Sequence, residues 1–189
     1  RGTIRNVSVS GNVTTNEKTI AVGGLVGTNI DEGTIAQSRV SGNVTGGSIY
    51  LGGLVGNNRG TITQSGVSGN VTGRSRVGGL VGLNEDDGTI TQSGVSGNVT
   101  GGDEVGGLAG SVDSGQLTDT SASVTVDGTT AVGGLVGATS GSVSVTNATV
   151  SGNVTGENKV GGLVGDSSGE ITNASASGTV SVPDDAEPT

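Results

Sequence analysis

Hydrophobic and polar residues alternate along short runs of this chain, and no run shows the three- and four-residue spacing of an amphipathic helix. In the run GTIT, Ile62 lies on one side of an extended chain and its two threonine neighbours lie on the other. In VSGNVT at residues 67–72, the valines share one side, and the serine, asparagine and threonine share the other. The runs are β-branched and end at Gly, Asn, Asp or Ser, so the pattern predicts short strands joined by turns.

These runs recur as a repeat of about 27 residues. The motif GGL[VA]G opens each copy, and a segment like GTITQS and then one like VSGNVT follow it. The motif begins at Gly23, Gly52, Gly78, Gly106, Gly133 and Gly161, and residues 1–14 form a half-repeat without it. Short strands cannot bury a core within one copy, whereas stacked copies can. We therefore predict an all-β fold, a parallel β-solenoid (β-helix) of about seven rungs with three short strands per repeat.

The solenoid is expected to form a single domain. A β-propeller is the main alternative, but a propeller blade needs about 40 residues and four strands. We expect the solenoid domain over residues 1–182 and a polar linker or disordered tail, PDDAEPT, over residues 183–189. No obvious cap covers either end of the repeats, which favours either a longer protein or stacking on other copies.

The glycine-rich motif is interpreted as structural. A dinucleotide-binding fingerprint needs one copy that opens a helix, whereas this chain repeats its motif without a helical pattern. The predicted core ladder consists of Leu25, Leu54, Leu80, Leu108, Leu135 and Leu163. Strict alternation along VGGLVG would place Val77 and Leu80 on different sides of a straight strand. Either the glycine pair bends the chain so that both reach the core, or an outward Val/Gly strip forms an association surface.

Composition argues against several classes of function. Without His or Cys there is no Ser-His-Asp triad, cysteine nucleophile or ordinary zinc site, and we expect no catalytic residues, no cofactor and no metal. Acid pairs such as Asp31-Glu32 are interpreted as solvated turns, because they do not share a calcium-repeat spacing. The net charge of −9 argues against nucleic acid as a partner. No apolar run approaches the roughly 20 residues that span a bilayer, and we expect no membrane span in this segment.

Asn-x-Ser/Thr sequons are candidate N-glycosylation sites, and they would make this a glycoprotein. They begin at Asn6, Asn12, Asn43, Asn70, Asn98, Asn147, Asn153 and Asn173. The alternative is a stacked ladder of outward amides and hydroxyls, or simply the preference of asparagine for turns. Neighbouring rungs lie only about 4.8 Å apart, which is too close for every sequon to carry a glycan.

The repeats resemble the GLUG-motif family, named for Gly-Leu-any-Gly. Gly24-Leu25-Val26-Gly27 and its five successors carry the resemblance, at near-constant spacing over most of the chain. Repeats of this family occur in large secreted or surface-attached microbial proteins, many of them adhesin-like. The resemblance implies an extracellular, cell-surface setting without enzymatic activity.

The sequence therefore predicts a non-enzymatic structural or adhesive solenoid, the stalk or building block of a cell-surface adhesin or head-to-tail filament. Expected partners are other copies of the chain, or other surface proteins and glycans. A carbohydrate-binding module that uses one face is the alternative, although Tyr50 is the only aromatic residue available for stacking on a sugar. Ice binding by the Thr-Ile-Thr strands comes third, because their threonine rows are broken. The acid excess and scarcity of lysine favour a halophilic archaeon or bacterium as the source.

Overall fold

The computed structural model describes residues 2–16 and 19–183, which form strands and turns without a helix. The paired strands are parallel, and each pairs with the equivalent strand of the neighbouring turns. The predicted parallel β-solenoid is confirmed, with about six turns that follow the half-repeat. Of the predicted tail, residues 184–189 lie outside the described residues.

Two sheets flank the glycine pair of each repeat, and we call them sheets I and II in chain order. Sheet I consists of Ala21–Gly23, Tyr50–Gly52, Ser75–Gly78, Asp103–Gly106, Thr130–Gly133 and Asn158–Gly161. Sheet II consists of Val26–Asn29, Val55–Asn58, Val81–Asn84, Ala109–Val112, Val136–Thr139 and Val164–Asp166. The two sheets are therefore joined by the same two-residue corner in every turn.

Sheets III and IV contain the other two segments of the repeat. Sheet III, from the GTIT segment, consists of Thr3–Arg5, Thr34–Ala36, Thr61–Thr63, Thr89–Thr91, Gly115–Thr118, Val143–Thr146 and Glu170–Thr172. Sheet IV, from the VSGNVT segment, consists of Ser8–Val9, Val13–Thr14, Arg39–Val40, Val44–Thr45, Gly66–Ser68, Val71–Thr72, Gly94–Thr100, Ser121–Asp127, Thr149–Ser151, Val154–Thr155, Ser175–Ser177 and Val180–Ser181. Most turns thus divide the VSGNVT segment into two short strands, whereas two turns keep it continuous.

The core is made of rows in which the same repeat position stacks on itself. Ile62 pairs in register with Ile35 below it and Ile90 above it, and all three are buried. Val67 and Val71 of sheet IV belong to two further buried rows of this kind. The residues that alternate with them, Ser68, Asn70 and Thr72, point outward. Because a parallel register stacks like on like, one apolar position per repeat becomes a continuous column through the rod.

The glycine pair bends the chain between sheets I and II. Gly78 ends a strand of sheet I, Gly79 and Leu80 form the corner, and Val81 begins a strand of sheet II. Val77, Leu80 and Val81 are all fully buried. The bend is therefore confirmed and the outward Val/Gly strip is wrong. The sequence predicted three strands per repeat, with one in the GGLVG motif. Because the motif bends, it contributes two strands, and each repeat contributes to four sheets.

The leucines of the motif occupy this corner in every turn. Leu54, Leu80, Leu108 and Leu135 are fully buried, whereas Leu25 and Leu163 are partly buried in the end turns and pack against the same core. The backbone N–H of Leu80 donates to the carbonyl of Leu108 at 2.8 Å, and the N–H of Leu54 donates to Leu80 at 2.9 Å. The corner is thus hydrogen-bonded from turn to turn like the strands beside it.

Candidate functional site

Five of the sequons form an exposed row along the middle of sheet IV: Asn12, Asn43, Asn70, Asn98 and Asn153. The Oδ1 of Asn12 accepts the backbone N–H of Asn43, Asn43 accepts from Asn70, and Asn70 accepts from Asn98, at 2.9–3.1 Å. Asn153 accepts the N–H of Thr179 in the same way. An amide ladder therefore exists at these positions, and each Oδ1 caps the backbone of the next turn. Glycan occupancy at their Nδ2 atoms stays a prediction.

The second set, Asn6, Asn147 and Asn173, lies at the corner between sheets III and IV. The residue at this corner has a positive φ in each turn, between 49° and 56°. The row consists of Asn6, Gln37, Gln64, Gln92, Asp119, Asn147 and Asn173. Asn and Asp tolerate this left-handed conformation better than most residues, so turn chemistry accounts for asparagine at these three positions, and glycan occupancy there also stays a prediction. Asn147 also donates from Nδ2 to Asp119 at 3.0 Å.

The outward face of sheet III contains two polar rows. One row consists of Thr3, Thr34, Thr61, Thr89, Gln116, Ser144 and Glu170. The other begins Arg5, Ala36 and Thr63, and continues as threonine to Thr172. The first row therefore loses its threonines at one end, from Gln116 onward, and the second row lacks them at the opposite end, at Arg5 and Ala36.

A buried asparagine ladder lies at the end of sheet II, and sequence reasoning missed it. Asn29 donates from Nδ2 to Oδ1 of Asn58 at 2.8 Å, and Asn58 donates to Oδ1 of Asn84 at 2.7 Å. Each Nδ2 also contacts the carbonyl of the glycine that opens the next segment, at 2.8–3.3 Å. All three side chains are buried, so the ladder satisfies its amides internally and fixes the turn between sheets II and III.

We expect Asn58→Val to cost about 2 kcal/mol of unfolding free energy. Valine fits the register, because Val112 pairs with Asn84 one turn further along. The loss comes from the partners, since Asn84 Oδ1 and Asn29 Nδ2 would lose their hydrogen bonds to Asn58 inside the protein. The triple replacement of Asn29, Asn58 and Asn84 by valine should cost less than the sum of the three single replacements. Chemical denaturation followed by circular dichroism measures this, and strictly additive costs would contradict the ladder.

Charged side chains of successive turns pair along the outer edge of sheets I and II. Arg59 donates from Nε to Oε1 of Glu85 at 2.8 Å, and Arg76 donates to Glu104 at 2.6 Å. Lys159 contacts Asp166 at 2.5 Å within the last turn. Burial works against the charged form of Glu85. Hydrogen bonds from Asn57 and Arg59 and the nearby arginine charges outweigh it, so the pKa of Glu85 lies below its usual value.

A lowered pKa in the folded state means that ionised Glu85 stabilises the protein above its usual pKa of 4.5. This contribution is lost as the pH falls through the lower, folded-state value. Glu85→Gln should therefore cost a small amount of stability at pH 7, in the range usual for surface ion pairs, and less below pH 4.5. Denaturation at several pH values checks this. In an Arg59→Gln background the difference should shrink, and a cost that grows toward acid pH would contradict the assignment.

Comparison with protein families identifies the repeat. The family model of the GLUG motif matches residues 19–45, 73–100 and 156–181. Each stretch covers one complete turn, from the strand of sheet I to the last strand of sheet IV. Three turns of this chain carry the GLUG motif. The turns between the matched stretches open with the same glycine-leucine sequence, at Gly52, Gly106 and Gly133.

No curated protein and no solved structure shows a significant match to this chain. Among the residues that the structure describes, no three acidic side chains come together as metal ligands would. Nor does the described part contain a helix long and apolar enough to cross a membrane.

Proposed function

We propose that this chain is a non-enzymatic structural rod, the stalk or building block of an adhesive assembly outside the cell. The observation that supports the proposal is the unbroken parallel register of sheets I–IV through about six turns. At about 4.8 Å per turn, the rod is about 30 Å long, and its stiffness comes from backbone hydrogen bonds and buried columns. Its function is to hold other surfaces at a fixed distance.

The end turns suggest how such rods extend. In the last turn, Ile171 and Val180 continue core rows but are 36% and 46% exposed. In the half-repeat, Ile4, Val9 and Val13 are partly buried. A further repeat, from the same chain or from another copy, would cover these rows and pair with the open strand edges in the same register. The interactions that join two rods would then be the same as those that join two turns within one rod.

Sedimentation velocity and negative-stain electron microscopy over a range of concentrations and salt test the association. We expect rods whose lengths are multiples of about 30 Å. Val180→Asp should abolish end-to-end association, because it places a charge in the row that must be covered. Ser123→Asp, on the exposed side of sheet IV, is the matched control and should leave association unchanged. Monomers at every concentration would overturn the filament.

The location requires its own test. Antibodies against the purified rod should label intact, unpermeabilised cells of the source organism. Labelling that appears only after permeabilisation would contradict an extracellular function. The same cells provide the native protein, whose mass shows how many of the sequons carry a glycan.

A further inference from the structure

A groove runs along the rod where the strands of sheet I begin beside the ends of the strands of sheet II. It has a volume of about 810 Å³, and Ile20, Tyr50, Asn57, Arg59 and Glu85 are among its lining residues. We call it the Tyr50 groove. It spans the first three turns, because Ile20 belongs to the first, Tyr50 and Arg59 to the second, and Glu85 to the third.

The Tyr50 groove is built from residues that the repeat itself does not require. The position of Tyr50 is occupied in other turns by Ala21, Arg76, Glu104, Ala131 and Lys159, all without loss of the strand. The position of Asn57 is occupied in other turns by Thr28, Leu83, Ser111, Ala138 and Asp166. The fold therefore accepts many residues at both positions, and the need to fold does not explain this particular set.

Apolar surface is available on one side of the groove. Tyr50 is half-buried, and the guanidinium of Arg76 lies 5.4 Å from its ring centroid, which restrains the ring. Ile20, which lines the groove, is 63% exposed, and Ile49, at the equivalent position of the next turn but outside the lining, is 49% exposed. A restrained aromatic ring beside exposed aliphatic side chains offers a flat apolar platform.

Polar groups form the opposite side. Asn57 is only 5% exposed, and its Nδ2 donates to Oε1 of Glu85 at 2.8 Å. The same carboxylate oxygen accepts from Arg59 Nε, so the three side chains form one fixed network. The Oδ1 of Asn57 accepts no hydrogen bond from any residue that the structure describes. This oxygen has almost no accessible surface, so a ligand in the groove contacts the network through Glu85 and Arg59, which Asn57 holds in place.

The two charged residues that are described as lining the groove form an ion pair with each other. Arg59 is paired with Glu85 and also contacts Asp86 at 3.4 Å, and Arg76 beside the groove is paired with Glu104. Among the described lining residues, therefore, no unpaired charge is presented to a ligand. A neutral ligand with hydroxyl donors, hydroxyl acceptors and an apolar face fits this arrangement best.

We propose that the Tyr50 groove binds a neutral saccharide. One pyranose face lies on the Tyr50 ring, and its hydroxyl groups donate to Glu85 and accept from Arg59, while Asn57 positions the Glu85 carboxylate through its Nδ2. The volume of about 810 Å³ exceeds that of a single sugar unit, so a short oligosaccharide is the expected ligand. The proposal does not depend on the rod forming filaments, since every lining residue belongs to one chain.

Tyr50 is the only aromatic residue in the sequence, so it is the only intrinsic fluorophore of the chain. Tyrosine fluorescence therefore reports on this groove alone. Cellotriose, maltotriose, mannotriose and triacetylchitotriose are the neutral probes, and trigalacturonic acid is the acidic one. At least one neutral probe should change the fluorescence saturably below about 10 mM, and calorimetry gives its dissociation constant.

Three variants test the assignment by calorimetry, and each introduces a residue that the repeat already uses. Tyr50→Ala follows Ala21, and Asn57→Leu follows Leu83, which pairs with it in register. Each should weaken binding roughly tenfold or more. Lys159→Ala, in the same row as Tyr50 but in the last turn, should leave binding unchanged.

A loss of binding must be distinguished from a loss of folding. Circular dichroism and the sedimentation coefficient of each variant must match those of the parent, which isolates binding from folding. Absence of a fluorescence change with all neutral probes would overturn the proposal. So would binding of the acidic probe alone, or binding that neither Tyr50→Ala nor Asn57→Leu weakens.

Discussion

Gly78→Ala is expected to destabilise the solenoid by about 3 kcal/mol or more, although it adds a single methyl group. A Cβ at Gly78 would lie against the carbonyl oxygen of Val81 across the corner, 2.6 Å from the backbone nitrogen of Gly110 and 2.8 Å from the Cα of Ala109. Each neighbour is backbone, so no side-chain rotation relieves the contact. The two sheets would have to separate or the corner would have to open.

The first glycine of each motif approaches the carbonyl oxygen three residues later in the same way. This substitution therefore tests a packing contact that every turn repeats. Gly66→Ala, in a strand of sheet IV, is the matched control, because Arg39 and Gly94 occupy its register position in the neighbouring turns. A Cβ at Gly66 would lie 3.2 Å from the carbonyl oxygen of Gly94 and needs only a small shift, while the methyl group also restricts the unfolded chain. The two effects oppose each other, so its stability should stay within about 0.5 kcal/mol of the parent. Denaturation curves for both variants compare them directly. Equal effects would contradict close backbone packing between sheets I and II.

Leu80→Ala is expected to cost about 3–5 kcal/mol. Leu80 is fully buried at the corner, and its backbone hydrogen-bonds to Leu54 below and Leu108 above. Because both neighbouring turns are held in register on either side, the space left by the side chain cannot collapse easily. The cost therefore includes both the lost burial and the cavity that remains.

Leu163→Ala is the matched control for this substitution. Leu163 has the same place in the motif but is only partly buried, in the last turn. We expect a loss of about 1–2 kcal/mol for this variant, since less surface is uncovered and the end of the rod can adjust. Equal losses at Leu80 and Leu163 would show that the leucine column does not stabilise the interior turns.

Alternation of residues predicted most of the core. Ile62, Val67 and Val71 could be assigned to the interior because a strand has a period of two, and parallel stacking extends one position to all turns. The same rule failed at VGGLVG, because it holds only for a straight strand. Whether the Gly78-Gly79 pair bends depends on how closely another backbone approaches, and that contact comes from residues 109 and 110, one turn away.

The asparagine ladder could have been found from a local signal. Asn29, Asn58 and Asn84 each stand two residues after the end of the GGLVG motif, in three successive copies. Asparagine directly after a strand normally indicates a polar turn, where this residue is common. Their burial depends on stacking with one another, which a single repeat does not reveal.

The Tyr50 groove lay beyond sequence reasoning for a different reason. Tyr50 opens a strand of sheet I, whereas Asn57 lies in sheet II and Glu85 belongs to the next turn. Only the sharp corner and the parallel stacking bring the three side chains to one groove. Comparison of the repeats does not reveal these three residues, because none of them is shared by all copies of the motif.

The in-register stack of turns is the central claim, and distances between spin labels test it most directly. The chain contains no cysteine, so pairs of introduced cysteines carry the only labels. Exposed serines of one row on sheet IV are suitable: Ser177 paired with Ser96, with Ser68 or with Ser41 spans three, four or five turns. Pulsed electron paramagnetic resonance should give narrow distance distributions whose means increase by about 4.8 Å per added turn. Distances that do not increase with the number of turns, or broad distributions for all three pairs, would contradict the solenoid.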